Sequence, residues 1–286
     1  MTMNAMSVDV EDYFHVSAFE DVISRLDWDG LEPRVHTNTR RLLRLFGSRS
    51  VKSTFFILGW VAERWPDLIR EIRDAGHELA SHGYDHRRVT TLTPERFRED
   101  VRTSKTIIED IAGEPVIGYR APSYSIVREN LWALDILSEE GFAYDSSIFP
   151  IRHDRYGIPD SPRFPWQRQG CAGMPLYEFP ISTVRVLGMN LPFVGGGYLR
   201  QFPFSYVRWG MRRVNRREKR PVVVYIHPWE IDPDQPRQEV RRSTALRHYR
   251  NLHKTERRLS WLLDNFQFST LSNILGLSRL EAHPCE

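Results

Sequence analysis

The chain has 286 residues, 41% of them hydrophobic, a formal net charge of +3 and two cysteines, Cys171 and Cys285. That is apolar material for one large domain or two ordinary ones, and two cysteines cannot make a disulfide framework, which suits a reducing compartment. No apolar run approaches the ~20 residues of a membrane-spanning helix, and the start "MTMNAMSVDVEDYFH" lacks the basic and apolar regions of a secretory signal, so the expected location is cytoplasmic.

Strand-like and helix-like stretches then alternate. "NAMSVDVEDY" opens with a β-rich run, and "SVKSTFFILG" (50–59) is a second. "WPDLIREIRDAG" reads as a helix with Pro66 in its first turn and Gly76 as its stop. "HELASH" reads as a strand, which places His82 at its C-terminal end and His86 on the turn that follows. "TLTPERFREDVRTSKTIIEDIAG" is a long helix with Thr93 as N-cap, Pro94 at its first position and Gly113 past its end. "VIGYRAP", "RENLWALDILSEEG" and "FAYDSS" continue as strand, helix, strand.

Residues 150–200 break the pattern with proline and glycine and predict loops and short strands over one end of the fold. "FVGGGY" there lacks the lysine and spacing of a phosphate loop. "PVVVYIHPWEID" (221–232) returns to a buried strand running into a polar tip. A late helix and a closing strand follow in "RRLSWLLDNFQFSTL". The alternation predicts parallel βαβ units in a single α/β domain over 1–286, with the loop-rich insertion at about 150–200 and a helical extension at about 235–275.

Arginine clusters in 208–220 and 237–258. Apolar residues recur between them at helical spacing (Tyr206, Val207, Met211, Val214; Leu246, Tyr249, Leu252, Leu259, Leu262). The arginines therefore read as the wet face of packed helices rather than as a nucleic-acid stripe. An anionic glycan, a lipid-linked substrate or peripheral contact with a membrane stays compatible with them.

The chemistry-bearing residues collect just after the apolar runs, where barrel enzymes keep their active sites. Asp9, Glu11 and Asp12 follow the first strand, His82 and His86 the third, Arg120 and Asp145 the next two, and His227 and Glu230 the late one. One carboxylate and two imidazoles can hold a divalent cation and leave a position open for water. Each residue also has a plain structural reading: helix caps for the acids, an ion-pair partner for Arg120, an Asx turn for Asp145, a core histidine for His227. Their recurrence at successive strand ends favours a site.

The order "SVDVED", "SHGYDH", "YRAPSYSI", "YDSSIFP", "VVVYIHPWE" resembles the polysaccharide deacetylases, the carbohydrate esterase group that includes chitin, chito-oligosaccharide and peptidoglycan N-deacetylases. "DVEDYFHVSAFE", "TFFILGWVAERWP" and "YDSSIFPIRHDRYGIP" resemble most closely a bacterial subgroup associated with exopolysaccharide gene clusters and the exosortase system. The resemblance implies a distorted (β/α)7-8 barrel and a zinc-dependent hydrolase removing N-acetyl groups from a hexosamine glycan. It implies His82 and His86 as metal ligands, Asp9 as catalytic base, Arg120 as the residue holding that base and His227 as general acid. Asp145 would set the charge state of that acid, and a backbone N–H near Tyr124 would bind the oxyanion. The pattern departs from the family at the first motif, where Asp9-Val10-Glu11-Asp12 replaces two adjacent aspartates. Asp12 is the preferred third ligand by residue type, and Glu11 competes because alternation along a strand puts it on the face of Asp9. Phe149 stands where a tryptophan is usual and Ser125 where a glycine is. The alternatives are a metal-independent, allantoinase-like amidohydrolase and a non-catalytic glycan-binding or assembly protein.

Overall fold

β1 (Met3–Val10) is buried over all but its first residue, as a strand covered on both faces must be. In the computed structural model, which describes residues 2–170 and 173–277, it belongs to a nine-stranded sheet and pairs with three other strands. Cys171 and Cys285 lie outside the described residues.

From β1 the chain runs through α1 (Val35–Gly47), β2 (Thr54–Ile57), α2 (Gly59–Arg64), α3 (Pro66–Asp74), β3 (Glu78–Ser81), α4 (Pro94–Ala112), β4 (Gly118–Tyr119), α5 (Trp132–Glu139) and β5 (Tyr144–Asp145). β6 (Trp166–Gln169) and β7 (Pro175–Glu178) extend the sheet, whereas β8 (Thr183–Val186) and β9 (Met189–Pro192) form a separate antiparallel hairpin. Then come α6 (Gly196–Gln201), α7 (Phe204–Arg212), a π-helical segment (Arg213–Glu218), β10 (Val223–Ile226), α8 (Arg242–Tyr249), α9 (Leu252–Asn265), β11 (Gln267–Ser269) and α10 (Leu271–Leu275).

The sheet order is β10-β1-β2-β3-β4-β5-β7-β6, with β11 also paired to β1. Every pairing but that of β6 with β7 is parallel. The sheet curls into an open half-barrel with helices packed around it, the fold expected of a distorted (β/α)7-8 barrel. β10 lies beside β1 in the register Ala5↔Val223 to Val8↔Ile226, so the tips of the first strand and of a strand two hundred residues later emerge side by side. This register brings Asp9 and Glu11 next to His227.

The capping signals work as predicted. Thr93 Oγ1 accepts the Arg96 N–H at 3.3 Å at the start of α4, and Gly113 closes that helix in the left-handed region at φ 69°. α1 is not among the predicted elements. Its N-cap, Arg34, makes no side-chain capping bond; the cap comes from Asp12, whose Oδ2 accepts the N–H groups of Arg34 (2.7 Å) and Val35 (2.8 Å). A cap lent from 22 residues away leaves no local signature. The glycines of "FVGGGY" have a packing cause, since a Cβ on Gly195 would sit 2.2 Å from the ring of Tyr225.

Candidate active site

The metal-binding candidates come from two strand ends. Glu11 follows β1 and His82 follows β3, while His86 sits four residues on in the left-handed region at φ 58°. The turn carrying His86 is tied down on both sides: Gly59 and Trp60 donate their N–H groups to the carbonyls of Gly83 and Tyr84 at 2.9 Å, and Asp100 accepts the Tyr84 N–H at 3.2 Å. A histidine held in this backbone conformation costs free energy that the surrounding contacts offset, a common feature of sites.

One donor atom from each of Glu11, His82 and His86 lies within 4.8 Å of the other two, and all three residues are buried. His82 Nδ1 is 2.7 Å from the carbonyl oxygen of Arg120 and donates to it, which leaves the Nε2 lone pair free for a cation. Glu11 Oε2 lies 2.9 Å from His86 Nε2 but, like His86 Nδ1, is buried without a hydrogen bond of proper geometry. Burial raises the Glu11 pKa, but His86 and His227 outweigh it and hold the carboxyl well below the usual carboxylate range. Burial lowers His82 to about 4, so its imidazole is neutral at physiological pH. An ionised carboxylate and a neutral imidazole, with orphaned polar atoms between them, suit a divalent cation.

Beside this cluster Arg120 holds Asp9. The guanidinium is fully buried, lies 4.0 Å over the Phe56 ring, and donates Nη1–H to Asp9 Oδ1 at 2.6 Å and to Ser7 Oγ at 2.8 Å. Its Nε and Nη2 are taken by the carbonyl and hydroxyl of Ser146, at 3.1 and 3.0 Å. Asp9 Oδ2 is left facing His227 Nε2 at 3.7 Å. On the far side of that ring, Nδ1 bonds Glu230 Oε2 at 2.9 Å, and Glu230 Oε1 accepts from Arg200 Nε at 2.5 Å. Arg200 Nη1 is fixed in turn by the carbonyls of Arg247, His248 and Arg250. Burial opposes protonation of His227, yet Glu11, Glu230 and Asp9 outweigh it and push its pKa up to about 9.

Three expectations need correction. Asp12 is not a ligand: it points away from the cluster, and besides capping α1 it accepts the Tyr13 N–H at 2.9 Å. Burial lifts its pKa to about 6 despite these three N–H groups. Asp145 does not reach His227; it accepts from the Ser147 hydroxyl at 2.5 Å and shares a hydrogen bond with the buried Glu178, so Glu230 takes the place assigned to it. The Tyr124 amide closes a turn on the Ala121 carbonyl at 3.0 Å, so an oxyanion would have to share this donor. Ser125 and Phe149, the two departures from the family pattern, have local partners. The Ser125 hydroxyl bridges the Pro122 carbonyl and the Val89 N–H, and Phe149 stacks on Tyr156 at 5.8 Å.

Asp12→Ala should therefore act on stability. Three N–H groups, two of them in buried hydrogen bonds, would lose their acceptor, a loss of about 2–3 kcal/mol in denaturant unfolding, with metal content unchanged in the folded protein. Loss of metal at unchanged stability would return Asp12 to the ligand set.

Asp9, Glu11, His82, His86, Tyr124 and His227 all line one cleft of about 750 Å³, with Tyr156, Tyr225 and Trp229 as aromatic walls. The sequence reading left the Arg200–Glu230 pair unassigned. Glu230 was visible three residues after His227, but its partner Arg200 belongs to α6 in the segment read as loops.

Comparison with known proteins accords with this geometry. Residues 19–142 match the polysaccharide deacetylase family model, and residues 146–276 match a model described as a domain of unknown function, DUF3473. The peptidoglycan deacetylase of Helicobacter pylori is 32% identical over 108 residues, covering 38% of this chain and 36% of that protein. The peptidoglycan deacetylase-like protein FGM2 of Gibberella zeae is 34% identical over 110 residues, covering 38% and 32%. The chain thus spans about a third of the length of these relatives.

Among solved structures, PuuE allantoinase superposes with a TM-score of 0.63 at 15% identity, covering 96% of this chain and 89% of its own. A protein described as a probable polysaccharide deacetylase, from Pseudomonas aeruginosa PAO1, gives 0.63 at 17% identity, covering 99% and 92%. These structures establish the fold; the sequence matches support the polysaccharide deacetylase family. The site draws on both matched segments: His82, His86 and Arg120 lie in the first, Arg200, His227 and Glu230 in the second, and Asp9 and Glu11 precede both.

Proposed function

We propose that this protein is a divalent-metal-dependent deacetylase that hydrolyses the N-acetyl group of hexosamine units in a bacterial polysaccharide or its precursor. The observation that carries the reading is the convergence of Glu11, His82 and His86 between a carboxylate fixed by Arg120 and an imidazole fixed by Glu230. Two nitrogens and one oxygen from protein, with a position open to the cleft, are the donor set of catalytic zinc, and zinc is the ion proposed. When bound, such an ion polarises an amide carbonyl and makes a water acidic enough to attack it.

The residues of the chain supply the proton transfers. Arg120 occupies one oxygen of Asp9 and leaves Oδ2 turned into the cleft, where it can take a proton from the attacking water. Glu230 fixes His227 so that Nε2–H faces the same space and can pass a proton to the departing amine nitrogen. Tyr124, Tyr156, Tyr225 and Trp229 line the same cleft, where their edges can border a sugar ring. The metal cluster weighs against the metal-independent reading, and the presence of both a base and an acid weighs against a non-catalytic one. The motif wording supports the exopolysaccharide-associated subgroup, and with it a glycan of that pathway as substrate.

The acid is tested through its partner. Activity should fall as pH rises past the point where His227 loses its proton, and Glu230→Gln removes a carboxylate that holds this proton on. The fall in kcat/KM should therefore begin at lower pH in the variant, at saturating metal, by about one unit. A fall at the wild-type pH would separate Glu230 from the acid. Acetate release from N-acetylated glycans by the purified protein is the direct test of the activity.

A further inference from the structure

α7 and the π-helical segment after it carry Arg208, Arg212, Arg213, Arg216 and Arg217 on one face, around a groove of about 290 Å³ that also takes in Trp209. None of these residues lines the catalytic cleft. The spacing of three and four follows from the helix, and the buried face of Val207, Gly210, Met211 and Val214 follows from packing. Neither explains how the arginines are kept.

A solvated arginine face is ordinarily laced with carboxylates, as where Arg98 and Arg102 of α4 pair with Glu140 just past α5. Here, among the described residues, no carboxylate lies within 4.0 Å of any of the five guanidiniums. Glu218, the acid of the same segment, is turned away and bonded to Arg163 at 2.7 Å. Aromatic rings take the place of acids. Arg208 lies 5.4 Å from the Trp261 ring centroid and 5.8 Å from that of Phe204, Arg212 is 6.0 Å from Trp261, and Arg213 is 5.6 Å from Trp209. A guanidinium laid on an aromatic face keeps its charge and turns its N–H edge outward. Nε of Arg208 and of Arg213, beneath that outer edge, is buried and has no hydrogen-bond partner. The π-helical turns, with i→i+5 bonding, are rare and recur at functional positions.

We infer that this groove is a binding site for a phosphate group. Five like charges without a counter-ion call for an anion, and planar N–H forks match phosphate oxygens two at a time. The phosphate can be free or part of a lipid headgroup, and the two sources separate experimentally.

The test uses the full chain at fixed ionic strength, with inorganic diphosphate as soluble probe and phosphatidylcholine vesicles with and without phosphatidylglycerol as membrane probe. The comparison variant is Arg212→Gln/Arg216→Gln/Arg217→Gln, three exposed positions whose loss should leave thermal unfolding unchanged. The inference predicts binding of diphosphate, or of phosphatidylglycerol vesicles over neutral ones, weakened at least about tenfold in the variant. Diphosphate binding assigns the groove to a free phosphate, and vesicle binding alone assigns it to a headgroup. Binding of neither probe, equal binding by the variant, or equal affinity for polygalacturonate, which carries carboxylates only, overturns it.

Discussion

His86→Ala should yield a folded protein without stoichiometric metal, and acetate release should drop at least about a thousandfold at ambient metal concentration. His86 is one of three donors, and its backbone, at φ 58°, is held by a turn fixed through the carbonyls of Gly83 and Tyr84. Removing it also strips Glu11 of a group that keeps this buried carboxyl ionised. The carboxyl should then take up a proton more readily and bind a cation more weakly still. Glu11→Gln keeps the shape and removes the charge, and should reproduce the loss. Metal analysis of the purified variants beside an unfolding curve checks both, and wild-type metal content in either would remove that residue from the ligand set.

Asp9→Asn should carry the second large effect, a fall in kcat of about a hundredfold to ten-thousandfold with metal content and KM little changed. Arg120 donates to Oδ1 at 2.6 Å and Ser7 supports the same Nη1, so an asparagine that keeps its carbonyl at this position retains the hydrogen bond and loses only the basic oxygen. An unfolding curve beside metal analysis distinguishes this from misfolding, and a wild-type kcat would exclude Asp9 as base.

The elements legible in the sequence are those whose signals are local. α3 and α4 announce themselves by proline at the first turn and glycine at the end, and β1, β2 and β10 by apolar runs buried on both faces. α1 stayed hidden because its cap is lent by Asp12 across 22 residues. That same loan explains why residue type alone misassigned the ligand. Residue type favours Asp12, but the alternation that made Glu11 its competitor prevails: successive side chains leave the strand end in opposite directions, and Glu11 faces the site while Asp12 turns to the helix. Asp145 went astray for a related reason. It stands at a strand end like the others, but its partner, Glu178, lies on β7, whose place beside β5 no short-range pattern reveals. Arg200 and Glu230 meet across 30 residues, and only the packed structure brings them together.

The proposed amide hydrolysis depends on a cation held by Glu11, His82 and His86. Acetate release from a panel of N-acetylated glycans, measured before chelation, after it, and after zinc is restored, tests this most directly. Chelation should abolish release and zinc should recover it; release that persists unchanged in protein shown to be free of metal would contradict a role for the cation.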